Sequence, residues 1–348
     1  MSNRRTVRVR GKVFRVRGKR KVGVKEYLIL NSIGRGENRR YQAFDPTAGP
    51  KGDLRQILVL PTAAASTQHL SVLHELSQGN DNLPSIIDYH PNRREISVVT
   101  EWVWGQPLDE YLRSAARGRV PWPSPTETCK RLRGLAHGLF HLHDRHNLIH
   151  GDIKPANLVL TQRAHRLVMV DFGSAWRIEN TARRDRGDGL SCRYAAPEQL
   201  LGRSGVNFRC DQFSACVVIY EMLTGELPYA RMGGMAGLPE YRALYEPAFE
   251  PPSRLAPRPG RLPKRVWRPI DRVIRTGLAL DPGNRFQSPR HWLEVVDNLD
   301  LLIRGQGHVE FRALDRAVFR LFDLVGHAAG LLRLSHEKAR RSSRKAAS

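Results

Sequence analysis

Within eight residues, His150-Gly151-Asp152-Ile153-Lys154-Pro155-Ala156-Asn157, the chain places a carboxylate, a lysine and a carboxamide, then runs into the apolar stretch Leu158-Val159-Leu160. Fourteen residues after Asn157 comes Asp171-Phe172-Gly173, preceded by a second apolar stretch, Leu167-Val168-Met169-Val170. Two short strands joined by a tight turn bring Asp152, Asn157 and Asp171 to one edge. Such oxygen ligands suit a hard divalent cation such as Mg2+ together with phosphate oxygens. The remaining carboxylate is placed to receive a hydroxyl proton.

The elements that must position these residues resemble a known arrangement. HGDIKPAN at 150–157, DFG at 171–173 and Ala196-Pro197-Glu198 are similar, in order and spacing, to the catalytic loop, metal-binding loop and activation-segment end of the protein kinases. The resemblance implies an α+β, two-lobed protein kinase-like fold. A small β-rich N-lobe is expected over 27–105 and a mainly helical C-lobe over 106–303. A basic N-terminal arm (1–26) precedes them, and an amphipathic helix with a basic C-terminal tail (304–348) follows. ATP and Mg2+ are the implied cofactors. By the same resemblance, Asp152 orients a substrate hydroxyl and accepts its proton, Lys154 contacts the γ-phosphate, and Asn157 and Asp171 hold Mg2+. A lysine two residues after the acid is the pattern of members directed at serine or threonine, so protein substrates are implied.

The upper lobe departs from the family pattern. Ile33-Gly34-Arg35-Gly36 resembles the start of the glycine-rich loop, and Gly34 and Gly36 are the expected phosphate-covering positions. The third glycine is missing and the loop is about one residue short. In the next strand Leu58 falls where the family carries the lysine that grips the nucleotide phosphates. Strand alternation puts Gln56 and Leu58 on the cleft side. The following helix, expected over 66–78, has His69 where the lysine's partner glutamate belongs, and Glu75 points elsewhere. In the with-no-lysine kinases a lysine of the glycine-rich loop substitutes, and Arg39 occupies the comparable place here, with Arg40 beside it. Arg39 is therefore the expected phosphate cation. Residues 96–103 resemble the strand and linker that hold adenine, with Thr100 guarding the back of the pocket and Glu101 and Val103 supplying backbone groups.

In the large lobe, Leu132, Leu135, Leu139, Phe140 and Leu142 recur at helical spacing after Pro125, which predicts a helix beneath the catalytic loop. Gly151 replaces the arginine that many kinases carry before the catalytic acid, which implies control without an activation-loop phosphate. Ser191 stands where the family has a threonine. Glu198 is expected to pair with Arg285, and Asp211 opens a helix that resembles the buried anchor of the large lobe.

The 348 residues are enough for such a domain with short extensions. An apolar content of 41% supports a well-buried core, and no apolar run reaches the roughly 18 residues of a membrane span. Four cysteines without metal-type spacing fit a reducing cytoplasm. The net charge of +23 is uneven: residues 1–25 carry eleven Lys or Arg and no acid, and 333–348 carry six bases against Glu337. These tails suit an anionic partner, nucleic acid or acidic lipid, or serve as solvated arms. Alternation over 6–17 predicts a small hairpin with one cationic face, and Phe311 to Leu332 carry one apolar stripe. Three functions follow: an atypical Ser/Thr kinase, a pseudokinase that binds nucleotide or a partner without transfer, or a basic-tail adaptor.

Overall fold

A computed structural model of the chain describes residues 5–33, 39–61, 81–162, 166–177, 191–203, 205–244, 248–256 and 264–305. Residues 1–300 form one compact unit and 301–348 a second, of which only 301–305 are described, as a helix end and turn. The expected helix over 66–78 and the stripe from Phe311 to Leu332 lie outside the described residues.

The first lobe is built on β1 (Thr6–Val9), β2 (Lys12–Arg15), β3 (Gly18–Val22), β4 (Lys25–Ile33), β5 (Arg39–Asp45), β6 (Asp53–Pro61), β7 (Ile86–Pro91) and β8 (Glu95–Glu101). β3 to β8 make one six-stranded sheet in the order β3-β4-β5-β6-β8-β7, antiparallel throughout. Alternation divides its side chains between two faces. One face buries Val22, Tyr27, Ala43, Ile57, Val59 and Val99. On the other, two rows run straight across the strands: Arg40, Leu58 and Val98 form one, and Gln42, Gln56 and Thr100 the next. The last row is unusual, because it puts three hydrogen-bonding side chains side by side on a largely covered surface.

The basic N-terminus folds onto this lobe. β1 and β2 pair as a hairpin, and Val9 is buried with Leu28, Leu30, Phe44 and Leu54 beside Trp102 and Trp104. Residues 18–22, assigned from sequence to a separate arm, instead pair with β4 as the sheet's edge strand.

A short strand, β9 (Gly105–Pro107), leads into α1 (Leu108–Ala116) and α2 (Pro125–His146). α2 begins with a capping box: Ser124 and Glu127 exchange backbone and side-chain hydrogen bonds, with Pro125 at the first helical position. It ends at Asn147, whose φ of 51° is left-handed. β10 (Leu148–Ile149), β11 (Leu158–Thr161), β12 (Leu167–Met169) and β13 (Trp176–Arg177) follow. β11 pairs with both β12 and β9, and β10 pairs with β13. α3 (Arg209–Thr224) is apolar nearly all round and buried along its length, as a helix without a polar face must be. α4 (Lys264–Gly277) and α5 (Pro289–Ile303) complete the helical lobe. Among the described residues no helix is long and apolar enough to cross a membrane.

Candidate active site

The catalytic-loop backbone is fixed by a buried acid. Asp211, at the start of α3, accepts the N–H of His150 (2.7 Å) and of Gly151 (2.8 Å), and its Oδ2 also lies 2.8 Å from His143 Nε2. Gln199 Nε2 donates to the Gly151 carbonyl at 3.0 Å. The loop turns at Gly151, whose φ of +77° is left-handed. A β-carbon there would come within 1.9 Å of Trp176 Cζ3, so the indole occupies the space beside the glycine. His150 is buried against Phe172, and burial lowers its pKa, which keeps the ring neutral.

Downstream of this pinned backbone the polar groups meet. Lys154 Nζ lies 2.7 Å from Asp152 Oδ2. Asn157 Nδ2 donates to the same carboxylate oxygen and to the Asp152 carbonyl, both at 2.9 Å. Burial raises the Asp152 pKa and Lys154 opposes the rise, which suits a carboxylate that must take and release a proton. With its amino group engaged, the Asn157 carboxamide leaves Oδ1 buried without a hydrogen-bond partner. An orphaned buried oxygen is costly unless a cation or donor meets it. Val170 N donates to the Asn157 carbonyl at 3.0 Å, which ties the two loops together. Asp171 Oδ1 accepts from Gly173 N at 3.0 Å. The donor set of Asn157 and Asp171 therefore fits a hard divalent cation such as Mg2+.

The other oxygen of Asp171 faces the upper lobe. Its Oδ2 lies 3.0 Å from Arg40 Nη1, and both side chains are largely covered, at 18% and 15% exposed. The sequence expectation took Arg39 as the cation that reaches the nucleotide phosphates, and the structure turns Arg40 rather than Arg39 toward Asp171. Consecutive strand residues point to opposite faces, so Arg39 turns to the other side, pairs with Glu95 and remains 53% exposed. Arg40 lies directly across from Leu58 on β6, so it places a cation beside the position expected from sequence to stand where the family carries its strand lysine. Leu58 itself is buried in the sheet. Gln56, one alternation away, donates from Nε2 to the Val170 carbonyl at 3.1 Å, a hydrogen bond from the upper lobe to the segment before Asp171.

At the linker, Glu101 N donates to the Ser85 carbonyl at 2.9 Å, and the Glu101 carbonyl accepts the Thr100 hydroxyl at 3.2 Å. Val103 follows, half-buried. Gly34 and Gly36 lie outside the described residues, as do His69 and Glu75. Away from the cleft, Arg285 forms a bidentate pair with Glu198 (2.6 and 3.0 Å) in the buried interior. Sequence reasoning named Arg40 only as the neighbour of Arg39 and Gln56 only as cleft-facing, without the contacts they make, and it missed Trp176. Register counting from Leu58 across one hairpin would have singled out Arg40. Nothing local reveals the other two contacts.

The family model of the protein kinase domain matches residues 61–287. The chain belongs to the protein kinase domain family. Among similar proteins is serine/threonine-protein kinase PknJ of Mycobacterium tuberculosis, 35% identical over 221 residues, covering 62% of this chain and 35% of that protein. The probable serine/threonine-protein kinase PknB of Bifidobacterium longum is 30% identical over 229 residues, covering 61% of this chain and 30% of that protein. The chain thus spans about a third of the length of these curated relatives. A solved structure, the Cydia pomonella granulovirus kinase PK-1, aligns with a TM-score of 0.60 at 19% identity, over 77% of this chain and 92% of that one. The two-lobed kinase fold is shared at that distance. The kinase match begins where β6 ends, so Arg40, Gln56 and Leu58 all lie before it.

Proposed function

We propose that this chain is an ATP- and Mg2+-dependent protein kinase directed at serine or threonine, with Arg40 in place of the strand lysine. The observation that carries this reading is the meeting of Asp152, Lys154 and Asn157, with Asn157 Oδ1 buried and without a partner. Arg40, on the strand opposite Leu58, adds a guanidinium beside Asp171. Phosphoryl transfer asks mainly for positioning and for neutralisation of charge. Asp152, held at Oδ2 by Asn157 and Lys154, orients the acceptor hydroxyl and takes its proton at Oδ1. Lys154, beside Asp152, offsets charge on the transferring group. Arg40 grips the phosphates with a planar fork that suits them. Asn157 and Asp171 would hold Mg2+, which would supply positive charge against the phosphates. Kinase relatives described as serine/threonine-directed support the substrate class.

The test is transfer of radiolabelled phosphate from ATP to a basic carrier protein by the full chain. Labelling is the expected result, and Asp152→Asn should abolish it. Labelling that persists in the variant would assign the activity to a contaminant.

One observation favours the pseudokinase reading. Arg40 already neutralises Asp171, and a carboxylate engaged in this way is a poorer metal ligand. On that reading nucleotide binds without Mg2+ and no label is transferred. Melting-temperature shifts with ATP, measured with Mg2+ and with EDTA, separate the two.

A further inference from the structure

The two ends of the cleft differ in how far their polar groups are satisfied. At the phosphate end, Asn157 Oδ1 is buried without a partner, while Arg40 pairs with Asp171 and Lys154 with Asp152. At the other end, every member of the row Gln42, Gln56 and Thr100 is already hydrogen-bonded within the protein. Gln42 Oε1 accepts from Asn31 Nδ2 at 2.9 Å. Thr100 donates its hydroxyl to the Glu101 carbonyl at 3.2 Å, one of the linker groups expected to meet a base. Gln56 crosses from the sheet to the opposite lobe and donates to the Val170 carbonyl at 3.1 Å.

That last contact has a steric consequence. Val170 is held in the lower lobe through its own N–H bond to Asn157, and its neighbour Met169 donates to the Asn82 carbonyl. A planar ring between roof and floor needs roughly 3.5 Å of clearance to each wall. It cannot share that slot with a side chain that spans it.

We propose that Gln56 is a specificity-determining residue of the nucleotide site. In the free protein its side chain fills the base end of the cleft, so a nucleoside triphosphate must displace it, whereas a bare triphosphate binds at Arg40 and Lys154 without doing so. The proposal rests on the nucleotide-binding reading above. It divides the site into a phosphate half, open to ligand, and a base half closed by the protein's own carboxamide. Gln56 thereby sets how much of the base's binding energy reaches the affinity for ATP.

The experiment is calorimetric titration of the full chain with ATP and, separately, with inorganic tripolyphosphate, both with Mg2+, for wild type, Gln56→Ala and Gln56→Leu. Losing the hydrogen bond and the bulk should let Gln56→Ala bind ATP about 3–10-fold more tightly, the range of one net neutral hydrogen bond. Tripolyphosphate affinity should not change. Gln56→Leu cannot donate but keeps most of the bulk, so it should fall between wild type and alanine for ATP. Unchanged or weakened ATP binding in both variants would overturn the proposal and leave the kinase reading standing. Equal changes for both ligands would also overturn it, because a general loosening of the lobe would be the cause. If no form binds either ligand, the proposal and the nucleotide-binding reading fall together.

Discussion

At the scale of single residues, the site turns on which of two adjacent arginines faces the cleft. Arg40 reaches Asp171 while Arg39 reaches Glu95 on the far side of the sheet. Arg40→Ala should therefore raise the KM for ATP by roughly 10–100-fold, the effect of losing one charge-assisted contact to phosphate. Arg39→Ala should leave it near the wild-type value. Because Arg40 and Leu58 are direct cross-strand partners on one face, Arg40→Ala combined with Leu58→Lys should recover part of the loss. Steady-state kinetics of the four proteins check this, and equal KM values for the two single variants would remove Arg40 from its role. Sequence alone made Asp152, Lys154, Asn157 and Asp171 legible because they sit in short contiguous segments whose spacing fixes their geometry. It failed at Arg39 and Arg40 because the preceding loop is short, and an error of one residue on a strand reverses the face. Gln56 was legible as cleft-facing. Its bond to Val170, 114 residues away, is tertiary and has no local signature.

At the scale of elements, the pairing of β10 with β13 sets Trp176 against Gly151, the residue before Asp152. Ile149 and Trp176 are direct partners, so the indole lies against the turn two residues on. Trp176 thus fills the space a side chain would require at that position. Gly151→Ala should destabilise the protein by roughly 2–4 kcal/mol, combining a left-handed backbone penalty with overpacking against the ring. Trp176→Ala in the same chain should relieve the steric part and leave the backbone part. The double variant should then be less destabilised than the two single effects added together, which urea denaturation measures as a coupling energy. Strict additivity would mean that the ring moves aside freely. The helices were easier to foresee than these contacts. The repeating leucines of α2 and the caps at Ser124 and Asn147 are local signals, whereas the seating of Trp176 depends on two strands 27 residues apart meeting.

At the scale of the whole molecule, the strongly basic N-terminus has two faces with different work. Its hairpin presents Val7, Val9 and Phe14 inward, against Leu28, Leu30, Phe44 and Leu54, and the Arg10 guanidinium lies 4.7 Å above the Trp104 ring. Outward it leaves Thr6, Arg8, Val13 and Arg15 exposed. Two strands alone are marginal in water, and the apolar face they cover explains why this hairpin is formed. Stability should accordingly reside in the inner face, with little contribution from the outer charge. Val9→Asp, which buries an unpaired carboxylate among aliphatic side chains, should cost about 3 kcal/mol or more. Arg8→Gln with Arg15→Gln should leave stability within about 0.5 kcal/mol of wild type, as exposed substitutions ordinarily do. Chemical denaturation of both proteins decides the matter. If Val9→Asp proved neutral, the hairpin would be a detached arm in solution. Leu28, Leu30, Phe44 and Leu54 would then form an uncovered apolar patch next to the nucleotide linker, and the N-terminal charge would carry no structural role.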